Sequence, residues 1–392
     1  MRRGLLRLAL LLAVLPSPPL SAQVEIRAYA LGVGSHVAES DLAPSGSTLF
    51  GRGRLMASAV FDALVLDAAY EHVVTRRANG AQFAITAGGG GAGTGDWLGT
   101  DWQIASSTQT EWRHRFDRLS LGFSSGPIDI TVGRQAISWA TTLFLTPADP
   151  FAPFNPSDPF REYRGGVDAV RLRAFAGPFT EIEAVVRATA TPFGTTTTAL
   201  ARFQTSTGGW ALGAWAGVVH DEAAAAVFAT GAVGATAVRT EISLREGPSG
   251  GAKLRGTFGL DRFFTPGGKD VYVLAEVQYD GFGAGERSEL VDVRVSAPFI
   301  RGDMQALGRW TLAGQVTYQV HPLVGLSALA LINGNDRSAL LAPGLSWSAT
   351  QAASVRLGAF TGLGASTLGP PDLGSEYGAI PHLGYVSVSW YF

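Results

Sequence analysis

The sequence contains no cysteine and only 3 methionines among its 392 residues. The lack of cysteine excludes a disulfide framework, a thiolate nucleophile, a zinc-finger site and a lipid-anchored N-terminal cysteine. Charged residues are also few, at 16%, against roughly 25% in soluble globular proteins. The net charge of −2 gives no sign of a protein that binds nucleic acid.

Long hydrophobic runs are missing as well. Beyond residue 22, no run reaches the roughly 18 apolar residues that a membrane-spanning helix needs. Aromatic residues nevertheless make up 10% of the chain, and β-branched residues are plentiful, which argues against disorder. The composition therefore excludes both a helical membrane protein and a disordered chain.

The first 22 residues predict a secretory signal peptide. Arg2 and Arg3 precede an apolar stretch over 5–15, prolines follow, and Ser21-Ala22 provides small residues before a cleavage site. A retained anchor helix is the alternative, but about 11 apolar residues are too few to span a bilayer. We therefore expect export of a mature domain that covers residues 23–392.

The mature chain alternates between apolar and polar residues. In 238–245 every second residue is apolar or threonine, in 271–280 every second residue is apolar, and most of the intervening residues are polar or charged. Segments of about ten residues with this period are typical of the strands of transmembrane β-barrels. A soluble β-sandwich also alternates, but aromatics near strand ends, such as Trp310 and Tyr318, favour a membrane barrel.

Counting such segments gives about 19 candidate strands, whereas a bacterial single-chain barrel has an even number and both termini in the periplasm. The alanine-rich segment 223–232 alternates least, so we assign it to an external loop or a short helix. Segment 288–297 is kept as a strand. The predicted fold is an all-β, single transmembrane antiparallel β-barrel of about 18 strands, with 16 as the fallback.

The C-terminus has an apolar face that ends in a phenylalanine carboxylate. It is formed by Val386, Val388, Trp390 and Phe392. This pattern resembles the C-terminal signal of bacterial outer-membrane barrels. The resemblance implies three partners for the chain: the barrel-assembly machinery, periplasmic chaperones and the lipid bilayer of the outer membrane.

A second resemblance is carried by a stretch of about 40 residues. Gly133-Arg134-Gln135 leads to Trp139, a loop rich in Pro, Asp and Asn follows, and the chain returns through Arg164-Gly165-Gly166-Val167-Asp168. The stretch resembles a largely uncharacterised group of porin-like outer-membrane proteins of Gram-negative bacteria, distantly similar to alginate-export-type barrels. Ala140 departs from the glycine expected after the tryptophan. The resemblance implies the fold and no particular substrate.

The loop within this stretch carries prolines at 147, 150, 153, 156 and 159. Prolines prevent strand pairing and favour an extended backbone. One interpretation is that residues 147–164 fold inward and constrict a pore with their charged residues, which are Asp149, Asp158, Arg161, Glu162 and Arg164. The alternative is a surface loop that packs over the barrel rim through Phe151, Phe154 and Phe160.

Charged residues on the polar faces are candidates for the lumen. One cluster near the long loop is mostly basic and would attract anions; it comprises Arg113, His114, Arg115, Arg118, Arg134, Arg171 and Arg173. Further charges of both signs are Arg239, Glu241, Arg255, Glu276, Asp292 and Arg294. Opposite charges on neighbouring strands predict ladders that neutralise the wall, and the alternative is a charged track for an ionic solute.

Signals for an enzyme are poor. Residues 122–126 and 247–251 match the nucleophile-elbow pattern but fall in hairpin turns, and no histidines have metal-ligand spacing. We predict no enzymatic activity, no metal and no cofactor. The sequence predicts an outer-membrane porin-like channel for passive diffusion of small solutes, filtered by lumen charges and the inward loop. The alternative is a non-conducting barrel whose loops anchor or scaffold a surface or export partner.

Overall fold

The computed structural model describes residues 23–40, 44–78, 97–151, 160, 163–248, 250–366, 373–378 and 380–392. Nearly all of its regular structure is β-strand. The strands are β1 Gln23–Val37, β2 Gly46–Phe61, β3 Leu64–Arg77, β4 Asp101–Ser106, β5 Thr110–Ser125, β6 Ile128–Gln135, β7 Val167–Phe175, β8 Thr180–Thr191, β9 Gly194–Thr207, β10 Trp210–Val219, β11 Glu222–Val233, β12 Thr236–Glu246, β13 Ala252–Phe264, β14 Val271–Asp280, β15 Trp310–His321, β16 Val324–Asn333, β17 Ala339–Ser348, β18 Ala353–Leu363 and β19 Leu383–Tyr391. Within the described ranges, no helix has the length and apolar character needed to cross a membrane.

The strands form one antiparallel sheet that closes on itself, because β1 pairs with both β2 and β19. Successive side chains point to opposite sides of the wall. On β12, for example, Ile242 and Leu244 are about half exposed on the outside, whereas Glu241 and Arg245 are buried inside. Closure pairs the backbone along the edges, and an apolar outer face then suits a lipid environment.

Eighteen of these strands make the barrel, which confirms the predicted count. The extra strand is β4. It pairs with β5 along residues 111–115, whereas β6 pairs with the same strand along 119–125. β6 ends at Gln135. Beyond Gln135, β4 takes the place of β6 beside β5 and extends the wall toward the end of the barrel that carries the connection 136–166.

Two strand assignments made from the sequence are wrong. Residues 223–232 are not a loop or a short helix but belong to β11, which pairs with β10 and β12. The alternation was hidden because alanine occupies positions on both faces, with Ala224 and Ala226 buried inside and Ala223 and Ala225 exposed outside.

Segment 288–297 is not a strand. Its residues form a 3₁₀ turn at Arg287–Glu289 and a short helix, α1 (Leu290–Arg294), followed by α2 (Ala297–Ile300). Leu290 and Val293 are buried three residues apart, which is a helical spacing. Asp292 and Arg294 are therefore exposed in the loop between β14 and β15 and do not lie on a barrel strand. The two errors cancel, so the strand count stands.

The two ends of the barrel differ. Turns as short as 62–63, 126–127 and 208–209 connect strands at one end, where β1 begins and β19 ends; we call it the terminus end. The opposite end, called the loop end, carries the longest connections, among them 136–166 and 281–309.

Candidate functional site: the barrel interior

The chain that follows β6 enters the barrel. We call residues 136–151 the inward segment. The carbonyl oxygen of Pro147 accepts a hydrogen bond from Arg255 Nη1 on β13 at 3.0 Å, and that of Ala148 accepts one from Trp215 Nε1 on β10 at 3.2 Å. Both donors are buried side chains of the inner wall. The segment therefore lies against the inner face of strands that are distant in sequence.

One carboxylate of β12 binds the backbone of the inward segment. Glu241 is fully buried and accepts hydrogen bonds from three backbone N–H groups. The donors are Thr141 at 2.9 Å, Thr142 at 3.4 Å and Ala148 at 3.0 Å. The sequence predicted Glu241 as a lumen charge, but in the structure it is covered by the segment.

A carboxylate of β14 does the same. Glu276 accepts hydrogen bonds from the N–H groups of Leu143 at 2.6 Å, Phe144 at 3.0 Å and Leu145 at 2.8 Å. In the described part of the chain, no side-chain nitrogen of arginine, lysine or histidine lies within 4.0 Å of the carboxylate oxygens of Glu241 or Glu276. Backbone amides are thus the polar ligands of both carboxylates.

Apolar contacts also hold the segment. The ring of Trp139 meets that of Phe151 edge to face with 4.9 Å between centroids. Leu145 is completely buried in a cluster with Leu331 of β16 and Leu340 of β17. The segment therefore packs against both the charged and the apolar sides of the interior.

Two of the five predicted loop charges are described, and they bind each other. Asp149 Oδ2 accepts hydrogen bonds from Ser138 Oγ and Arg164 Nη1, both at 2.8 Å. Asp158, Arg161 and Glu162 lie outside the described residues, as does Phe154. Of the aromatics predicted to cover the rim, Phe151 and Phe160 are buried, and Phe160 packs with inward-facing residues such as Phe50.

Most of the predicted lumen arginines bind carboxylates on adjacent strands, so their charges are largely neutralised. The N–O distances are 3.4 Å for Arg113–Asp101, 2.9 Å for Arg115–Glu71, 2.6 Å for Arg171–Glu183, and 2.8 Å for each of Arg173–Asp129, Arg239–Asp261 and Arg255–Asp280.

Arg134 and His114 do not line the lumen. Arg134 pairs in register with Asp168, next to the exposed pair Val132 and Val170, so its side chain lies on the outer side of the wall. The pair is buried there because the chain before β4 covers it, and the N–H of Leu98 donates to Asp168 at 2.9 Å. His114 also faces outward, where its Nδ1 lies 2.8 Å from the hydroxyl of Tyr70.

A cavity of about 460 Å³ lies in the interior. Its wall includes Arg27, Asp67, Arg118, Tyr163 and Arg171. No carboxylate in the described residues lies within 4.0 Å of the Arg118 guanidinium, and its Nε is buried without a hydrogen-bond partner. Its cation therefore faces the cavity without a direct ion pair to a described carboxylate, with Asp67 on the wall of the same cavity.

Charged groups also tie the connections at the loop end to the wall. Burial lowers the pKa of His220 to about 4, and Arg245 and Arg301 act in the same direction, against Asp303, whose Oδ1 lies 3.5 Å from the ring. Glu376 accepts hydrogen bonds from the N–H groups of Leu307 and Gly308 and from Asn333 Nδ2, and burial raises its pKa.

No group of three or more histidine, aspartate or glutamate residues that could hold a metal ion occurs in the part of the chain that the structure describes. The predicted absence of a metal and of a cofactor stays a prediction. Ser124, in one of the two elbow-like motifs, lies on β5 just before a hairpin turn to β6, without the strand–turn–helix context that the motif requires.

No family model matches the chain, and no curated protein matches it either. Among solved structures, OccAB1 of Acinetobacter baumannii is similar with a TM-score of 0.54 and 9% identity, covering 95% of this chain and 96% of that one. OccK2 (OpdF) of Pseudomonas aeruginosa, in complex with glucuronate, gives 0.55 and 10%, with 94% and 98% covered. A BenF-like porin of Pseudomonas fluorescens Pf-5 gives 0.54 and 8%, with 95% and 98% covered.

At these identities the likeness shows the fold, and the predicted resemblance to porin-like outer-membrane barrels is confirmed at that level. The apolar outer face of the barrel agrees with it. The chain is an antiparallel β-barrel with the fold of these porins, and this fold and the apolar outer face support a location in the bacterial outer membrane.

Proposed function

We propose that the chain is a channel for passive diffusion of small solutes, filtered by the charges of the barrel interior and by the inward segment with the rest of loop 147–164. Arg118 in the interior cavity, which has no ion pair with a described carboxylate, carries this proposal. A cation without a direct ion pair on the wall of the path attracts anions, so the favoured solutes are small anions. One neighbour of the same fold was solved with glucuronate, which is such an anion.

The export of the chain and the orientation of the barrel in the membrane belong to the same proposal. Residues 1–22 direct export, both termini face the periplasm, and the loop end faces outward. Val386, Val388 and Trp390, each exposed by 44–45% on the outer face, and the terminal Phe392 form the signal for the assembly machinery. The distant relation to alginate-export-type barrels also remains a proposal and rests on the motif between Gly133 and Asp168.

Planar-bilayer recording with the purified, refolded protein tests the channel. We expect stepwise single-channel conductance that depends on the charge of the ions. Removal of residues 147–160 should raise the conductance if the loop constricts the path, and an unchanged conductance would reject the constriction. A folded, heat-modifiable barrel that stays silent would instead favour the alternative, a scaffold that binds a partner at its loops.

A further inference from the structure

Glu241 and Glu276 differ from the other acidic groups of the inner wall. Glu71, Glu183 and Asp280 are buried next to arginines, with N–O distances of 2.9, 2.6 and 2.8 Å to their partners Arg115, Arg171 and Arg255. Such pairs carry no net charge. Glu241 and Glu276 have only hydrogen-bond donors of the inward segment against their oxygens.

Backbone N–H groups stabilise a carboxylate without neutralising it. Six of them, from Thr141 to Ala148, converge on the two side chains, and both oxygens of each carboxylate are used. These are charge-assisted hydrogen bonds, stronger than neutral ones. Two carboxylates without an arginine, lysine or histidine partner among the described residues are therefore held inside the barrel, and the segment separates them from the open lumen.

We propose that the inward segment masks the carboxylates of Glu241 and Glu276, so that its docking sets the ion preference of the channel as well as its width. With the segment docked, the interior presents the cation of Arg118. With the segment displaced, two acids without a direct ion pair face the lumen and favour cations. This inference rests on the proposed channel function.

Glutamine tests the carboxylates with little change of shape. A side-chain amide offers one acceptor oxygen and one NH₂ group, which cannot accept. Since Glu241 accepts from Ala148 on one oxygen and from Thr141 and Thr142 on the other, Glu241→Gln removes the charge and at least one bond. Glu276→Gln does the same for the other carboxylate.

The decisive experiment combines this double variant with a displaced segment. Residues 141–150 are replaced by a short Gly-Ser linker, which can span the gap because the rings of Trp139 and Phe151 touch. The ratio of potassium to chloride permeability is measured from the reversal potential across a KCl gradient.

The replacement should raise this ratio at least about threefold in the otherwise native chain. In the Glu241→Gln/Glu276→Gln chain the conductance should still rise, but this ratio should not. The same shift in both chains, or no shift in either, overturns the proposal.

Amide hydrogen exchange of the full chain separates this inference from the channel function. Residues 141–148 should exchange at least about tenfold faster in the double variant than in the native chain, because the acceptors of their N–H groups are impaired. Glu25→Gln, at an exposed carboxylate near the terminus end, is the matched control and should change nothing there. Unchanged exchange in the double variant overturns the proposal. If every chain is folded but shows no conductance, the proposed channel function is wrong, and the inference about ion preference is wrong with it. Faster exchange in the double variant would still show that the carboxylates hold the segment.

Discussion

Arg134 and Asp168 form a bidentate ion pair in the wall of the barrel, close to the end of β6 and the beginning of β4. Arg134 Nε lies 2.8 Å from Asp168 Oδ1, and Nη2 lies 2.7 Å from Oδ2. Both side chains are buried, although they sit on the outer side of the sheet. The pair therefore joins β6, β7 and the start of β4 where regular strand pairing is interrupted.

Loss of this pair should destabilise the barrel. Asp168→Asn removes the carboxylate that accepts two hydrogen bonds from the buried Arg134 guanidinium, which costs about 3–5 kcal/mol. The measurement is the free energy of unfolding in urea for the refolded protein. Asp129→Asn breaks the partly exposed pair with Arg173 and should cost less than about 1 kcal/mol. Equal effects of the two variants would contradict a special role for the buried pair.

The glycine beside this pair should be irreplaceable. A Cβ on Gly166 would lie 2.0 Å from the carbonyl oxygen of Asp117 and 2.6 Å from Cγ of Arg134, so the backbone has to move. We expect Gly166→Ala to reduce the heat-modifiable, folded fraction severely, because no rotamer relieves a backbone clash. Gly51→Ala, where nothing lies within 4 Å of the added carbon, is the control and should fold normally. Normal folding of Gly166→Ala would refute the clash.

Period-two alternation was sufficient to predict the barrel and its strand count, because the inner and outer faces of each strand meet different environments. The prediction failed where both faces of a strand carry the same residue type, and where a helix carries residues that alternate as in a strand. In β11, alanine is acceptable on either face. In 290–295, Val291, Val293 and Val295 alternate like a strand, yet the helix is selected by burial of Leu290 and Val293 within the long loop. This burial depends on tertiary contacts, which cannot be predicted from the local sequence pattern.

The charged residues of the interior could be predicted, but their partners could not. Arg239 and Asp261 are neighbours on a hairpin, so their pairing follows from local alternation. The bonds from Thr141 to Glu241 and from Leu143 to Glu276 join residues 100 and 133 positions apart. Only closure of the barrel brings these residues together. The sequence therefore predicted Glu241 and Glu276 as lumen charges, whereas in the structure they bind the inward segment.

His220 should make the barrel less stable in mild acid. Its pKa of about 4 lies below the value of about 6.5 in an unfolded chain, so the unfolded chain binds the proton more readily. This contribution to stability is complete above pH 6.5 and is lost progressively as the pH falls to 4, by up to about 3 kcal/mol.

The measurement for His220 is the unfolding free energy between pH 7 and pH 4. Carboxylates titrate in the same range, so the informative quantity is the difference from a His220→Gln chain, which should show a shallower loss. His321→Gln, at an exposed histidine near the terminus end, should leave the pH dependence unchanged. Parallel curves for the native and His220→Gln chains would contradict the buried, neutral imidazole.

Arg118 should determine the anion preference of the open channel. Arg118→Gln removes a cation that forms no ion pair with a described carboxylate, and we expect the ratio of potassium to chloride permeability to rise by roughly twofold or more. Arg118→Lys keeps the charge and should keep the ratio near the native value. Arg262→Gln removes an equal charge from the outer face, where the guanidinium lies over the ring of Phe264, and should have little effect. The ratio comes from reversal potentials at low salt, where screening is weakest. A native ratio in Arg118→Gln would show that the selectivity is set by another part of the channel, and the cavity beside the inward segment would then not be its filter.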